Sequence, residues 1–359
     1  MQRDPFVRVA APLAVAIVAV GVLSLAILAG GYNLPVAFSA LWRGAFGTPY
    51  AVFSATLVRA TPLIVLGLSV AVSFRAGLLN IGADGQFLAG ASLATAIALL
   101  TPAWPAILLL PTVMVGGVVG GAAWASIAAL LRRRFGVLEV ISTLMLNFVA
   151  QQGVSFLLRG PLQEPTRVYP QTIAIPEAAR LGLLIHGQRL HWGIVTAIML
   201  AIVIAWILRS TAMGFRVRVV GAGPAAAASA GRVDVERMLF GVFLSSGAIA
   251  GFAGAVQVTG VTYQLSEGFS PGYGYSAIAV ALLARLNPLW VILAGVLFGA
   301  LEAGAGAMQR EAGVPFQFVA VVEALVILGV LAVDRVGSLA AARQGTPDKP
   351  AASIGAHRE

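Results

Sequence analysis

The chain has 359 residues, 59% of them hydrophobic and only 10% charged, with a mean hydropathy of +0.92. Soluble domains run near 45–50% apolar and about 25% charged, so a water-soluble fold is excluded and the solvent is largely lipid. The net charge of +9 is dispersed between apolar runs as a topology signal, which argues against nucleic acid as a partner, and the absence of cysteine removes disulfides and thiolate metal sites.

A bilayer core takes roughly 20 apolar residues per helix. On that measure the sequence reads as an all-α polytopic membrane protein with about ten crossings: 9–31, 50–74, 83–101, 105–131, 137–158, 191–209, 238–258, 269–284, 288–308 and 314–333. Arg3 and Arg8 precede the first run, which is longer than a signal-peptide core of about 7–15 residues and so reads as an uncleaved helix. Residues 32–49, with Asn33, Pro35, Trp42 and Pro49, predict a short helix lying on the outer interface. The segment 269–284 is short and Gly-rich, and Ser270-Pro271-Gly272 followed by Gly274 implies a loop or broken helix at the outer side.

With the N-terminus in the cytoplasm, sixteen of the 23 basic residues fall inside and seven outside, which places both termini on the cytoplasmic side. Residues 1–335 then form one transmembrane domain, with an external loop at 159–190 and a cytoplasmic segment at 210–237. The polar stretch 336–359, with Gly and Pro, predicts a disordered tail. Small residues spaced four apart (Gly116/Gly120, Gly117/Gly121, Gly247/Gly251, Gly295/Gly299) predict closely approaching helices.

Polar groups at membrane depth are costly and concentrate at functional sites. The stretch FRAGLLNIGADGQFLAGA, residues 74–91, puts Asn80, Asp84 and Gln86 among glycines that interrupt a helix. Irregular backbone at depth needs a cavity or surrounding protein, and a broken helix presents free N–H groups to a ligand. Two roles fit Asp84: pathway lining, or an N-cap for the helix that follows. In LEVISTLMLNFVAQQ, residues 138–152, the spacing lines Glu139, Ser142, Thr143, Asn147 and Gln151 along one face. Glu139 suits an ion pair with Arg132–Arg134. Asn147 and Gln151 suit the pathway, with an interhelical hydrogen bond as the alternative for Asn147. Near residue 270, Tyr273 and Tyr275 suit either stacking on a planar or sugar-like ligand or the interfacial aromatic belt. Glu302 and Glu323 are membrane carboxylates open to hydrogen bonding or proton relay.

Hydrolytic chemistry is disfavoured, because His186 lies in the external loop, His191 at the outer edge of a span and His357 in the tail, so no Ser–His pair forms at depth. The single lysine, Lys349, precedes Pro350, so the chain carries no Walker A loop and no ATPase site of its own.

The cytoplasmic segment, an Ala-rich run with arginines at both ends, resembles the signature of membrane permeases of ribose- and nucleoside-type ABC importers. These belong to the ribose, simple-sugar and branched-chain amino acid permease superfamily. Arg218-Val219-Val220-Gly221 matches the opening of that signature, and Ala226, Ala227 and Gly231 follow in register. Gly223 stands where the family usually has Asn, and Arg232 where it usually has Ile. Ser246 to Gly254 matches the SGalAGlAG helix start. FRAGLLNIGADGQ resembles FRAGLFNIGAEGQ, with Asp84 for Glu, and LEVISTLMLN resembles HEVISTIMLN, with Leu138 for His. These two motifs point to the nucleoside branch, and GYGYSAIAVALLARLNP resembles a further segment of the family.

The resemblance implies a multi-pass subunit of the bacterial inner membrane that forms the translocation pathway for nucleosides. It implies an ATPase subunit that carries ATP-Mg, so that this chain binds no cofactor and no metal. A second permease, forming a heterodimer, and a periplasmic or lipid-anchored substrate-binding protein complete the expected assembly. Arg216, Arg218, Gly221, Pro224, Ala226, Ala227 and Gly231 would form the helix seated in the ATPase groove. A ribose or simple-sugar permease and a proton-coupled secondary transporter are the alternatives.

Overall fold

The computed structural model describes Val18, residues 20–229 and 234–315, and scattered positions from 317 to 329. Gly231, Glu323, most of 314–333 and the tail 336–359 lie outside the described residues. Among the described residues the chain is helical, with two isolated β-bridges, Gln171 to Ser266 and Leu183 to His191.

The helices are α1 (Val20–Ala29), α2 (Leu34–Phe46), α3 (Leu57–Arg75), α4 (Ala83–Leu100), α5 (Ala106–Phe135), α6 (Glu139–Leu158), α7 (Gly193–Ser210), α8 (Ala212–Ala222), α9 (Pro224–Ser229), α10 (Val235–Gln257), α11 (Tyr273–Leu283) and α12 (Pro288–Ala312). A π-helical turn, Ala51–Thr56, leads into α3, and another, Val258–Thr262, extends α10. Capping follows the local sequence: Asn33, Thr211, Asp234 and Asn287 each accept a backbone N–H at the start of α2, α8, α10 and α12.

Seven described helices are long and apolar enough to cross a bilayer. Three of the ten expected crossings are not among them. Residues 9–31 and 314–333 fall partly or largely outside the described region. The segment 269–284 yields α11, whose 11 residues rise only about 16 Å. It is preceded by an irregular stretch with Gly268 and Gly272 at positive φ, so the expected broken helix forms.

The small-residue spacing marks where helices meet. A Cβ on Gly251 would strike the Gly117 carbonyl and lie 2.7 Å from the Gly121 Cα, and one on Gly121 would strike the Gly247 carbonyl. A Cβ on Gly90 of α4 would meet Gly251 too. Thus α4, α5 and α10 touch backbone to backbone. On the other side Gly299 of α12 lies against Thr56 and Ala60. A separate core joins α1, α2 and α12 through Leu23, Ile27, Ala37, Ala40, Ala305 and Met308.

The 159–190 loop is pinned to the segment after α10. Thr172 N–H donates to the Leu265 carbonyl (2.9 Å), Ile175 to Tyr263 (2.7 Å) and Leu181 to Thr259 (2.9 Å). Arg180 lies over the Tyr263 ring at 4.9 Å. At the end of this loop His191 is fully buried, and a Cβ on Gly193 or Gly260 would strike its ring. Its Nδ1 accepts the Gly193 N–H at 3.1 Å, and among the described residues its Nε2 has no partner.

Burial, and secondarily the Arg189 cation, push its pKa down from 6.5 to about 4. The unfolded chain therefore takes up a proton near pH 6.5 that the native chain refuses until about pH 4. Stability is lost as pH falls through that window, by about 3 kcal/mol in full. His191→Asn, which keeps an acceptor for Gly193, is expected to flatten the fall in thermal midpoint across the window. Equal acid slopes in variant and wild type would remove the assignment.

Candidate functional site

The interruption between α3 and α4 is built from a glycine-dependent turn and a buried polar knot. Gly77, at φ +81°, turns the chain after α3. Asn80, fully buried, accepts the Gly82 N–H (2.9 Å) and exchanges hydrogen bonds with the Gln86 amide in both directions (3.0 Å each). Its Nδ2 also donates to Ser246 Oγ of α10 (2.9 Å), which is bonded in turn to Ser69 of α3. Asn80 and Gln86 therefore tie α3, α4 and α10 together, and in this conformation their amides face each other.

Asp84 is a cap, but of a different helix from the one that follows it. The N-cap of α4 is Gly82, and Asp84 sits in the first turn. Its Oδ1 accepts from Ser270 Oγ (2.6 Å) and from the Gly274 N–H (2.9 Å), so it caps the start of α11 rather than of its own helix. A Cβ on Gly274 would press on the Asp84 backbone, which is why glycine is needed there. The carboxylate lies at the N-termini of α4 and α11 together, where both helix dipoles favour it.

Asn147 completes the junction from α6. Its Oδ1 accepts the Gly85 N–H (2.8 Å), and its Nδ2 reaches the Ile81 carbonyl (2.9 Å) and Tyr275 Oη (3.3 Å). Tyr275 is 40% exposed. Tyr273 is turned inward, edge-on to Phe87 at 6.1 Å, so its ring is not open to a ligand in this conformation. The expected ion pair of Glu139 forms with Arg132 at 3.4 Å. Glu302 is buried and partnered.

Above this junction a cavity of about 400 Å³ is lined by Gln151, Gln152, Ser155, Glu267, Phe269 and Ser270, among others. Sequence reasoning found Gln151 and missed Ser155, Glu267 and Phe269. The one usable signal was a carboxylate, Glu267, inside the otherwise uncharged run YQLSEGFSPG. Arg159 grips Glu267 bidentately (2.9 and 3.0 Å), and Ser155 Oγ donates to the same carboxylate at 2.5 Å. The Arg159 hydrogen bond holds the Glu267 pKa below the usual carboxylate range. The cavity wall thus mixes polar and apolar groups, with the Glu267 charge matched by Arg159.

The residues expected to meet an ATPase occupy two short helices instead of one. Arg216, Arg218 and Gly221 lie on α8, and Pro224, Ala226 and Ala227 on α9, separated by extended Gly223. Arg216, Pro224 and Ala226 are exposed, Arg218 is half-buried and Ala227 is buried. Gly221 faces inward: a Cβ there would strike the Arg75 carbonyl, and a Cβ on Gly77 would lie 3.6 Å from the Gly221 Cα. α8 therefore rests directly on the turn that leads to Asn80 and Asp84.

Residues 52–331 match the family described as branched-chain amino acid transport system / permease component. The chain belongs to this family. It is a transport component, a multi-pass ABC permease, and the alternative of a proton-driven carrier gives way to it. It is 39% identical over 314 residues to a glucose ABC transporter permease protein of Haloferax volcanii, covering 83% of this chain and 82% of that one. It is 36% identical over 325 residues to the guanosine ABC transporter permease protein NupP of Bacillus subtilis, covering 89% and 92%. The nucleoside ABC transporter permease protein NupB of Lactococcus lactis is 33% identical over 309 residues, covering 84% of each.

Proposed function

We propose that this permease forms the translocation pathway for nucleosides in an ABC importer of the bacterial inner membrane. The observation that carries this reading is the cavity of about 400 Å³, within the usual small-molecule range. Two side-chain amides, three serines and the Phe269 ring suit an uncharged solute with a planar base and sugar hydroxyls. Gln151, Asn147 and Tyr275 lead from it to the Asp84 junction, where Asn80 and Gln86 fix the gate. Tyr273 backs that gate from within.

The remaining architecture follows as part of the proposal. Seven spans, the broken crossing ending in α11 and the two terminal crossings make ten, with both termini cytoplasmic. The exposed apolar face of α6 (Ile141, Met145, Phe148, Val149) flanks the cavity and suits a second, different permease. A substrate-binding protein delivers solute from outside. ATP-Mg is bound and hydrolysed on a separate ATPase that grips Arg216, Arg218, Pro224, Ala226 and, outside the described residues, Gly231. Movement of α8 passes through the Gly221–Arg75 contact to the turn before Asn80, and Ala227 seats α9 against the bundle. Such rigid-body rocking of packed helices switches access from one side to the other.

A simple sugar is the second reading, favoured by the 39% identity to a glucose permease. Proteoliposomes holding the full complex separate the two. ATP-dependent uptake of guanosine or another nucleoside is expected, with glucose transported at least about tenfold less well, a gap near 1.4 kcal/mol. Preferential glucose uptake would overturn the nucleoside assignment. In the same vesicles Gly221→Leu is expected to leave the ATPase bound and uncouple its hydrolysis from uptake; unimpaired uptake would sink the proposed transmission path.

A further inference from the structure

Away from the pathway, a second cavity of about 470 Å³ opens between α2, the π-helical turn before α3, the 186–190 loop and the C-terminal end of α12. Four of its lining residues are arginines: Arg43, Arg59, Arg189 and Arg310. One lining residue, Glu311, is acidic. Glu311 pairs with Arg43 at 2.6 Å, so the wall carries four positive charges against one negative, an excess of three. Like charges around a concavity repel unless an anion sits among them.

The scaffold under these arginines is rigid. Ser54, 5% exposed, accepts the Arg189 backbone N–H at 2.9 Å and donates to Gln188 Oε1 at 2.6 Å, fixing the loop on the π-helical turn. Thr48 Oγ1 caps that turn through the Ala51 N–H (3.0 Å). A Cβ on Gly44 would strike Ala307, so α2 and α12 are held at contact distance and the ends that bear Arg43 and Arg310 stay together. Arg59 is steadied by its own helix, Nη1 donating to the Ala55 carbonyl at 3.2 Å.

The neighbouring side chains locate the cavity in the membrane. Trp42, Phe46 and Tyr50 are exposed by 64%, 44% and 55%, and Trp42 and Phe46 pack at 5.2 Å. Tyr50 itself lines the cavity. Exposed amphipathic aromatics beside an apolar bundle settle at head-group level. Guanidinium groups match phosphate oxygens in pairs, and basic pockets between transmembrane helices take phosphate-bearing head groups.

We propose that this cavity is a binding site for the head group of an anionic phospholipid. The phosphodiester sits between Arg59, Arg189 and Arg310, and the Arg43–Glu311 pair forms the rim. A lipid held there bridges α2 and α12 to the 186–190 loop, stitching the peripheral helices to the loop that covers the end of α10.

Native mass spectrometry of the delipidated full-length protein, titrated with phosphatidylglycerol or phosphatidylcholine, tests the site. At least about tenfold tighter retention of phosphatidylglycerol is expected. The preference should vanish in Arg189→Gln/Arg310→Gln and strengthen in Glu311→Gln, two variants of opposite sign, so a folding defect cannot mimic both. Equal retention of the two lipids by wild type, or an unchanged preference in both variants, would overturn the proposal. So would binding of inorganic phosphate as tight as that of the lipid, which would make this a site for a soluble anion. Loss of docking of an acidic binding protein in the double variant, with lipid preference intact, would likewise reassign the cavity.

Discussion

Asp84→Ala is expected to reduce ATP-driven uptake at least about tenfold while the protein still inserts and purifies. The carboxylate links the start of α4 directly to the start of α11, through Ser270 Oγ and the Gly274 N–H. Removing it strands the Gly274 N–H in a buried setting, at a cost of about 1–3 kcal/mol, which spans the tenfold figure. Alanine also leaves two helix N-termini facing each other without the negative charge that both favour. Asp84→Asn keeps an acceptor oxygen but loses the charge assistance, which roughly doubles the strength of such bonds. It is therefore expected to retain intermediate uptake. The measurement is initial uptake rate in proteoliposomes at matched permease content. Normal uptake by Asp84→Ala would reduce the junction to packing.

Gly251→Val carries the largest expected effect on stability. Its Cβ would meet the Gly117 carbonyl and the Gly121 backbone, and no side chain stands between that can rotate away. Overpacking where rotamers can adjust costs about 1–3 kcal/mol, and here two backbones must separate instead. Val is expected to prevent accumulation of monodisperse protein in detergent, and Ala to lower the thermal midpoint measurably. Gly241→Ala on the same helix is the control. Nothing lies within 4 Å of a Cβ there, and the helix gains up to about 1 kcal/mol from the lost glycine. If the valine variant matched the control, the three-helix contact would be absent from the folded protein.

How legible the chain was depended on the range of the interaction involved. Apolar runs long enough to span lipid, the glycine spacing and the Glu139 ion pair all act over a few residues or one helical turn. Each was readable in order along the sequence. The α11 segment was visible as a break because Pro271, Gly272 and Gly274 are local signals. The partner of Asp84 was not visible: Gly274 lies 190 residues away. Nor was the Asn80–Ser246 bond, across 166 residues. Tyr273 and Tyr275 differ by two positions, yet one packs on Phe87 and the other reaches Asn147, a distinction set by helix phase against neighbours.

The sequence by itself determined that this chain lives in lipid, where seven of its spanning helices run, which glycines let them approach and, through FRAGLLNIGADGQ and the Arg218–Gly221 signature, which family it resembles. Lipid cannot satisfy backbone groups, so apolar length and helix-breaking residues carry that information locally. Tertiary structure decided what the polar residues do: Asn80 and Gln86 became a knot, Asp84 a cap for a distant helix, Gly221 a contact on Arg75, and four scattered arginines one cavity. Burial and hydrogen-bond partners arise only when remote segments meet, and no spacing along the chain encodes them.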